Sequence, residues 1–162
     1  MIKISCYQTP PALLAKTFCK LAEKCYYSSK RTCVITNNNE FTRELDRVLW
    51  TYSKKHFIPH ATSEDPLSEK QPVYITDSFE NLSSAGIFIL VNPDTEKILK
   101  LLSLDHFIHG NSVDKLLILF DDAQKIHFMD INNLINKSYI KSFEIDFFEL
   151  VDNGGWRESY KA

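Results

Sequence analysis

Short apolar segments alternate with amphipathic ones along this chain, and this alternation constrains the fold more than any other feature of the sequence. Residues 86–91 are the most apolar segment, and residues 115–120 also have the length and composition of a buried strand. Between them, Asn92-Pro93 begins a segment with helical spacing that extends to about His106. Because strands joined by helices usually pair in parallel, the chain is predicted to form a single Rossmann-like α/β domain, with a mostly parallel sheet and helices on both faces.

The same reasoning locates the remaining elements. Strands are predicted at residues 2–7, 31–36, 72–76 and 147–151, and helices after Thr9-Pro10-Pro11, after Asn37 and at residues 130–143. The polar residues 62–71 are expected to form a loop. We expect the domain to span residues 1–156 and residues 157–162 to be a frayed C-terminal tail that follows a glycine turn.

The composition is that of an ordinary globular protein. Of the 162 residues, 44% are hydrophobic, and the formal net charge of −2 argues against a protein whose main task is to grip phosphate backbones. Little or no direct nucleic-acid binding is therefore expected. No segment approaches the roughly 18 apolar residues of a membrane span, and no secretory segment is recognisable, so the expected location is the cytoplasm. The four cysteines lie in apolar segments without Cys-x-x-Cys spacing, which indicates a structural role.

One amphipathic helix is predicted to have an unusual polar face. Asn37 is its expected N-cap, with Glu40 three residues later. Apolar residues at i, i+4, i+7, i+8 and i+11 then form one stripe, which consists of Phe41, Leu45, Val48, Leu49 and Tyr52. At about 100° per residue, Trp50 lies opposite the middle of this stripe, on the face that carries Arg43 and Arg47.

A second aromatic residue follows this helix. The next loop carries Phe57, Ile58, Pro59 and His60, which is more apolar surface than a loop facing solvent needs. Two interpretations of Trp50 remain open. Its ring could pack beneath this loop of its own chain, or both rings could be exposed and anchor a partner, because tryptophan dominates interface hot spots. That partner would be another protein or a second copy of this chain.

Signals of catalysis and of nucleotide binding are weak. None of the four glycines follows the first strand, so neither a dinucleotide-binding turn nor a phosphate-binding P-loop can be drawn. His106 and His109 have metal-ligand spacing without an evident third ligand, and no nucleophile stands in an activating context. No catalytic residue, metal site or cofactor is therefore predicted. Asp121-Asp122 at the end of a strand supports the alternative, a small α/β enzyme or nucleotide-binding domain.

A weaker surface signal lies on the last predicted helix. Lys137 and Lys141 are four residues apart and flank Tyr139. Taken alone, the two lysines are either a solvated helix face or a weak, salt-sensitive binding site, because an exposed lysine supplies about 0–1 kcal/mol per contact.

Residues 45–61 carry a resemblance to a known family. The most recognisable segment of the chi subunit of bacterial DNA polymerase III holoenzyme is similar to the pattern Leu45-Asp46-x-x-Leu49-Trp50, followed by Phe57-Ile58-Pro59-His60-Ala61. The order of two apolar strands and a basic-aromatic helix resembles the family as well. The ending looks like that of alphaproteobacterial members, with the residues Asp152-Asn153-Gly154-Gly155-Trp156.

The resemblance implies a non-catalytic accessory subunit of a DNA-directed DNA polymerase complex, a nucleotidyltransferase, in DNA replication. Chi proteins pair with the psi subunit, which ties them to the clamp loader, and they bind the acidic C-terminal tail of single-stranded-DNA-binding protein. The implied psi-binding residues are Trp50, Phe57, Ile58, Pro59, His60, Arg43 and Arg47. The implied tail-binding residues are Lys137, Tyr139 and Lys141, on a helix that has Asn132, Asn133 and Asn136 where basic residues are expected.

Overall fold

One sheet runs through the whole protein, which a computed structural model describes at residues 1–80, 84–104, 113–123, 127–138, 142–151 and 154–161. Its strands are β1 (Ile2–Thr9), β2 (Thr32–Ile35), β3 (His60–Thr62), β4 (Val73–Thr76), β5 (Ile87–Val91), β6 (Lys115–Asp121), β7 (Phe143–Leu150) and β8 (Trp156–Lys161). The described helices are α1 (Leu14–Tyr27), α2 (Asn39–Thr51), α3 (Thr95–Leu102) and α4 (Phe128–Asn136), with short 3₁₀ turns at Pro11–Leu13 and Ser68–Lys70.

The sheet is parallel except at one edge. The strand order is β3-β4-β2-β5-β6-β1-β7-β8, and β8 runs antiparallel to β7. Every residue of β5 is buried, and β5 lies between β2 and β6 in the interior of the sheet. A parallel strand that is covered on both faces has to be apolar throughout, which explains the uninterrupted run seen in the sequence. The predicted α/β fold with a mostly parallel sheet is confirmed.

Helices cover both faces of the sheet. Phe18 of α1 and Leu45 of α2 pack in one core with Ile89 of β5, whereas Ile98 of α3 packs in the other core with Phe88. Successive side chains of a strand point to opposite faces, so one apolar strand serves both cores. This arrangement places α1 and α2 on one side of the sheet and α3 and α4 on the other.

The C-terminal part differs most from the sequence prediction. The helix predicted at residues 130–143 begins at Phe128 and ends at Asn136, where the Ser138 hydroxyl binds the carbonyl of Ile135 at 2.6 Å. Such a side-chain bond satisfies a carbonyl at the helix end and competes with further helix. β7 begins at Phe143, and the residues expected to fray from 157 onward form most of β8, which pairs with β7 up to Lys161.

Two further differences are local. The segment expected to be a loop begins with the last residue of the short strand β3, and α3 begins at Thr95 instead of at Asn92-Pro93. The cap of α3 is Asp94, whose Oδ1 accepts a hydrogen bond from the backbone N–H of Lys97 at 2.7 Å. Among the described helices, none has both the length and the apolar character needed to cross a membrane.

Candidate protein-binding surfaces

Helix α2 buries one face and exposes a tryptophan on the other. Leu45 and Leu49 enter the core, whereas Trp50 is 55% exposed, as its position in the helical pattern predicts. The cap is one residue later than predicted: Asn38 Oδ1 accepts a hydrogen bond from the Phe41 N–H at 2.8 Å. Asn37 instead bonds to the residue that follows β5: its side-chain amide nitrogen donates to the carbonyl of Asn92 at 2.7 Å.

The Trp50 ring forms an exposed pair with Phe57. Their ring centroids lie 5.4 Å apart with the planes tilted by 37°, and Phe57 is 62% exposed. The other neighbour of Trp50 is His60, at 4.7 Å between centroids. Trp50 therefore packs on its own loop and is also exposed, because more than half of the residue stays accessible; that it anchors a partner stays a prediction. We call these two rings the Trp50–Phe57 surface.

A buried histidine supports this surface from below. The side chain of His60 is fully buried, and its Nδ1–H donates to the carbonyl of Ile58 at 2.7 Å. Its Nε2 lies 3.3 Å from both the carbonyl and the Oδ1 of Asp46 on α2. Burial raises the pKa of the Asp46 carboxyl, an effect opposed by the charge of His60 and by a hydrogen bond from Trp50. Ile58 and His60 therefore lie beneath the surface and orient it.

The remaining implied psi-binding residues lie on α2 and in the loop after it. Arg43 is exposed and its Nη2 contacts Glu64 Oε1 at 2.6 Å, while hydrogen bonds from Arg43 and Asn39 lower the pKa of the Glu64 carboxyl. Arg47 is exposed and has no ion-pair partner among the residues that the structure describes. Pro59 is half-buried between Ile58 and His60. An exposed ion pair such as that of Arg43 contributes little to stability, so these charges remain available to a partner.

The implied tail-binding residues are only partly described. Lys137 is exposed at the end of α4, whereas Tyr139 and Lys141 lie outside the described residues, as do His106 and His109. A cleft of about 740 Å³ separates α3 from α4 and is lined by both charged and apolar side chains: Lys100, Lys137, Glu96, Leu99 and Leu102. We call it the α3–α4 cleft. The position of Lys100 could not be inferred from the sequence, because only the packing of α3 against α4 brings it to the same cleft as Lys137.

Asparagines occupy part of the exposed face of α4. Asn136 and Asn132 are four residues apart, and the amide nitrogen of the first donates to the amide oxygen of the second at 3.3 Å. Asn133 is exposed, and neither its side chain nor those of the other two carries charge. The positive charge of this helix is therefore confined, within the described residues, to Lys137 at its end.

The end of β6, which supports the enzymatic alternative, has a structural role through Asp121. Asp121 is buried; its Oδ2 accepts a hydrogen bond from the Asn92 amide at 2.9 Å, and its Oδ1 accepts one from the Ala123 N–H at 3.0 Å. Asn92 has a left-handed backbone, with φ of 47°, which this bond helps to hold. Asp122 is exposed. Among the described residues, no group of three His, Cys, Asp or Glu side chains is placed to bind a metal, and all four cysteines are free and buried.

Comparison with known proteins finds similarity over most of the chain. The model of the family described as DNA polymerase III chi subunit, HolC, matches residues 1–128. A Rickettsia prowazekii (strain Madrid E) protein described as a probable DNA polymerase III subunit chi is 34% identical over 158 residues, which cover 98% of this chain and 92% of that protein. The helicase domain of Hef from Pyrococcus furiosus resembles 88% of this chain with a TM-score of 0.55 at 10% identity. This chain covers 34% of the Hef structure, and the likeness concerns the fold alone.

Proposed function

The chain belongs to the DNA polymerase III chi subunit family, and we propose that it is a non-catalytic adaptor of the replication machinery in the cytoplasm. In this proposal, the Trp50–Phe57 surface binds a psi subunit and thereby the clamp loader. The α3–α4 cleft binds the acidic C-terminal tail of single-stranded-DNA-binding protein. The adaptor would connect the polymerase to template that is coated with this protein.

The observation that carries the proposal is the exposed pair of aromatic rings on a rigid base. Burying the exposed half of a tryptophan removes roughly 80–140 Å² from water, which stabilises a complex by about 2–3 kcal/mol at ~25 cal/mol/Å² before association costs. The ring contact with His60 at 4.7 Å limits the orientations of Trp50 in the free chain. A side chain that is already oriented loses less conformational entropy on binding, so more of this free energy favours the complex.

Loss of the tryptophan ring should abolish capture of psi without unfolding the chain. We expect Trp50→Ala to weaken binding to psi of the same organism at least about thirtyfold, which corresponds to a hot spot of about 2 kcal/mol. Tyr27→Ala is the matched control, because Tyr27 is 63% exposed at the end of another helix. Isothermal titration of both variants measures the difference. Equal affinities would remove this part of the proposal.

The α3–α4 cleft has chemistry that suits an acidic peptide with a terminal apolar residue. Lys100 and Lys137 offer two cations for carboxylates, and Leu99 and Leu102 offer an apolar floor for a side chain. Glu96 lines the same cleft and opposes an acidic ligand. We therefore expect tail binding to be weak and sensitive to salt.

This second contact is tested with single-stranded-DNA-binding protein that has or lacks its last tail residues. We expect binding at low salt to the tailed form only, and a loss of about tenfold in Lys137→Glu, because the variant reverses one charge in the cleft. Lys70→Glu is the matched control, since Lys70 is exposed on a 3₁₀ turn elsewhere. Binding that does not depend on the tail, or that both variants weaken equally, would contradict this assignment.

A further inference from the structure

A row of lysines follows the exposed side of α1. Lys16, Lys20 and Lys24 are separated by four residues each, so they lie on one side of the helix at intervals of about 6 Å along its axis. All three are exposed, and none has an ion-pair partner within the part of the chain that the structure describes. The helix therefore presents three uncompensated positive charges in line.

Aromatic rings stand opposite this row. Tyr7 of β1 stacks on Phe148 of β7, with 5.2 Å between centroids and an interplanar angle of 18°. Trp156 of β8 meets Tyr7 edge to face at 5.0 Å. The first two rings are half-buried, and Trp156 is 39% exposed. The three rings, from β1, β7 and β8, thus form one aromatic wall, in which Trp156 is the most accessible ring.

The lysines and the rings line the same groove, of about 440 Å³, which we call the α1–β8 groove. Its described lining includes Lys16, Lys20 and Lys24 and contains no acidic side chain. The absence of acidic side chains distinguishes its described lining from that of the α3–α4 cleft, where Glu96 accompanies the two lysines. Neither Trp50 nor Phe57 lines this groove; their surface belongs to α2 and the loop that follows it.

We propose that the α1–β8 groove binds single-stranded nucleic acid. Proteins that bind single strands without sequence preference combine a positive groove, which follows the backbone, with aromatic side chains on which bases stack. The three evenly spaced lysines provide the first component, and Tyr7, Phe148 and Trp156 provide the second. A duplex fits poorly, because its bases are already stacked and cannot reach the rings.

An acidic peptide is the competing occupant, and the geometry favours it less. A peptide of this kind needs cations and one pocket for an apolar side chain. Here three rings line the same groove as a regular row of charges, which suits a strand with one charge and one base per unit. The proposal departs from the expectation, drawn from a net charge of −2, that the chain binds little nucleic acid, because the charge is concentrated locally.

The test is fluorescence anisotropy of a short fluorescein-labelled oligothymidylate with the full chain at low salt. Trp156→Ala should weaken binding about tenfold, within the range for the loss of one base–aromatic stack. Lys20→Glu should weaken it by a similar factor, whereas Lys70→Glu, with the same change of net charge at an exposed lysine elsewhere, should bind like the parent chain.

Three results would overturn the proposal. The first is no binding of the oligonucleotide at low salt. The second is equal weakening by Lys20→Glu and Lys70→Glu, which would mean attraction to the whole molecule instead of the groove. The third is an acidic peptide that displaces the oligonucleotide in the parent chain and loses affinity in Trp156→Ala. Capture of psi and of the tailed protein should be unchanged in all these variants, so failure here leaves the adaptor function in place.

Discussion

The two tryptophans of this chain are both partly exposed and differ in what surrounds them. Near Trp50 on α2, Arg43 pairs with Glu64 and Asp46 contacts His60, whereas Arg47 has no ion-pair partner among the described residues. Trp156 faces a row of lysines that have no such partners among the described residues. Trp50 is 55% exposed and Trp156 is 39% exposed, so each ring offers apolar area to a partner. The surrounding charge therefore decides whether an apolar protein surface or an anionic strand is the better partner.

The two rings also differ in their support. Trp50 projects from the last turn of a capped helix and packs on a buried histidine. Trp156 begins an edge strand that pairs on one side only, with β7. We infer that the first site is more rigid than the second, which suits one defined protein partner. A site that accepts any base benefits from more freedom.

The largest expected effect is on stability, and it should differ between substitutions on the two faces of α2. Leu45→Ala removes a fully buried side chain and should lower the free energy of unfolding by about 2–5 kcal/mol. Trp50→Ala should lower it by about 1 kcal/mol or less, because more than half of the ring faces solvent. Urea unfolding followed by circular dichroism measures both. Similar losses in the two variants would mean that Trp50 is a core residue, and the comparison would fail.

A medium effect should appear in the salt dependence of the two binding events. For the oligonucleotide, log K should fall with log salt at a slope of about −2, since each of three phosphate contacts on a single strand contributes about 0.7. Binding of psi should change little over the same range, because the Trp50–Phe57 surface is mainly apolar. Anisotropy and calorimetry at matched salt concentrations provide the two slopes. Two equal slopes would remove the distinction that we draw from charge.

The smallest effect should be seen at the thiols beneath the lysine row. Burial raises the pKa of Cys25 on α1 to about 11 and that of Cys19 to about 12. Both thiols should therefore react slowly with Ellman's reagent in the native chain near neutral pH. The rate should rise with pH, and it should be the same in Lys20→Glu and in the parent chain. Rapid native labelling of Lys20→Glu alone would show that this substitution disturbs α1 itself.

These pKa shifts also determine how the free energy of unfolding changes with pH. The pKa of each thiol is higher in the folded chain than its ordinary value of 9.0. The unfolded chain therefore loses these protons first as the pH rises. The two thiols therefore contribute fully to the free energy of unfolding below about pH 9. Their contribution is lost as the pH rises from there to the pKa values of the folded chain.

The sequence predicts elements well wherever a residue has to be apolar. The strand ending in Val91 is buried on both faces, and the stripe of α2 is recognisable because Leu45 and Leu49 repeat at helical spacing. The position of a cap is harder to predict, since Asn37 and Asn38 are both suitable. The choice depends on Asn92, which lies 55 residues away and engages the first of them.

Features that depend on the edge of the sheet or on tertiary contacts are hard to predict from the sequence. β8 reads as polar, because an edge strand with one exposed face needs few apolar residues. The turn before it is recognisable from its glycines, and Gly154 has a positive φ of 78°. The helical pattern of α2 is enough to predict that Trp50 is exposed, whereas the role of Trp156 depends on its contact with Tyr7. The lysine row of α1 is regular in the sequence, but two of the three rings in the same groove, Phe148 and Trp156, are far from it along the chain.

The position of β1 in the sheet has a consequence for how the chain acquires its structure. Its partners are β6 and β7, so Ile2 lies beside Phe143, and Lys3 lies beside Lys115. At typical rates of synthesis, the ribosome needs on the order of ten seconds to make the intervening residues. During that time Ile4 and Cys6, which are fully buried in the finished fold, have neither neighbouring strand to pair with. The nascent chain therefore exposes an unpaired strand edge until β7 has been made, and we expect this late pairing to make it a substrate for chaperones.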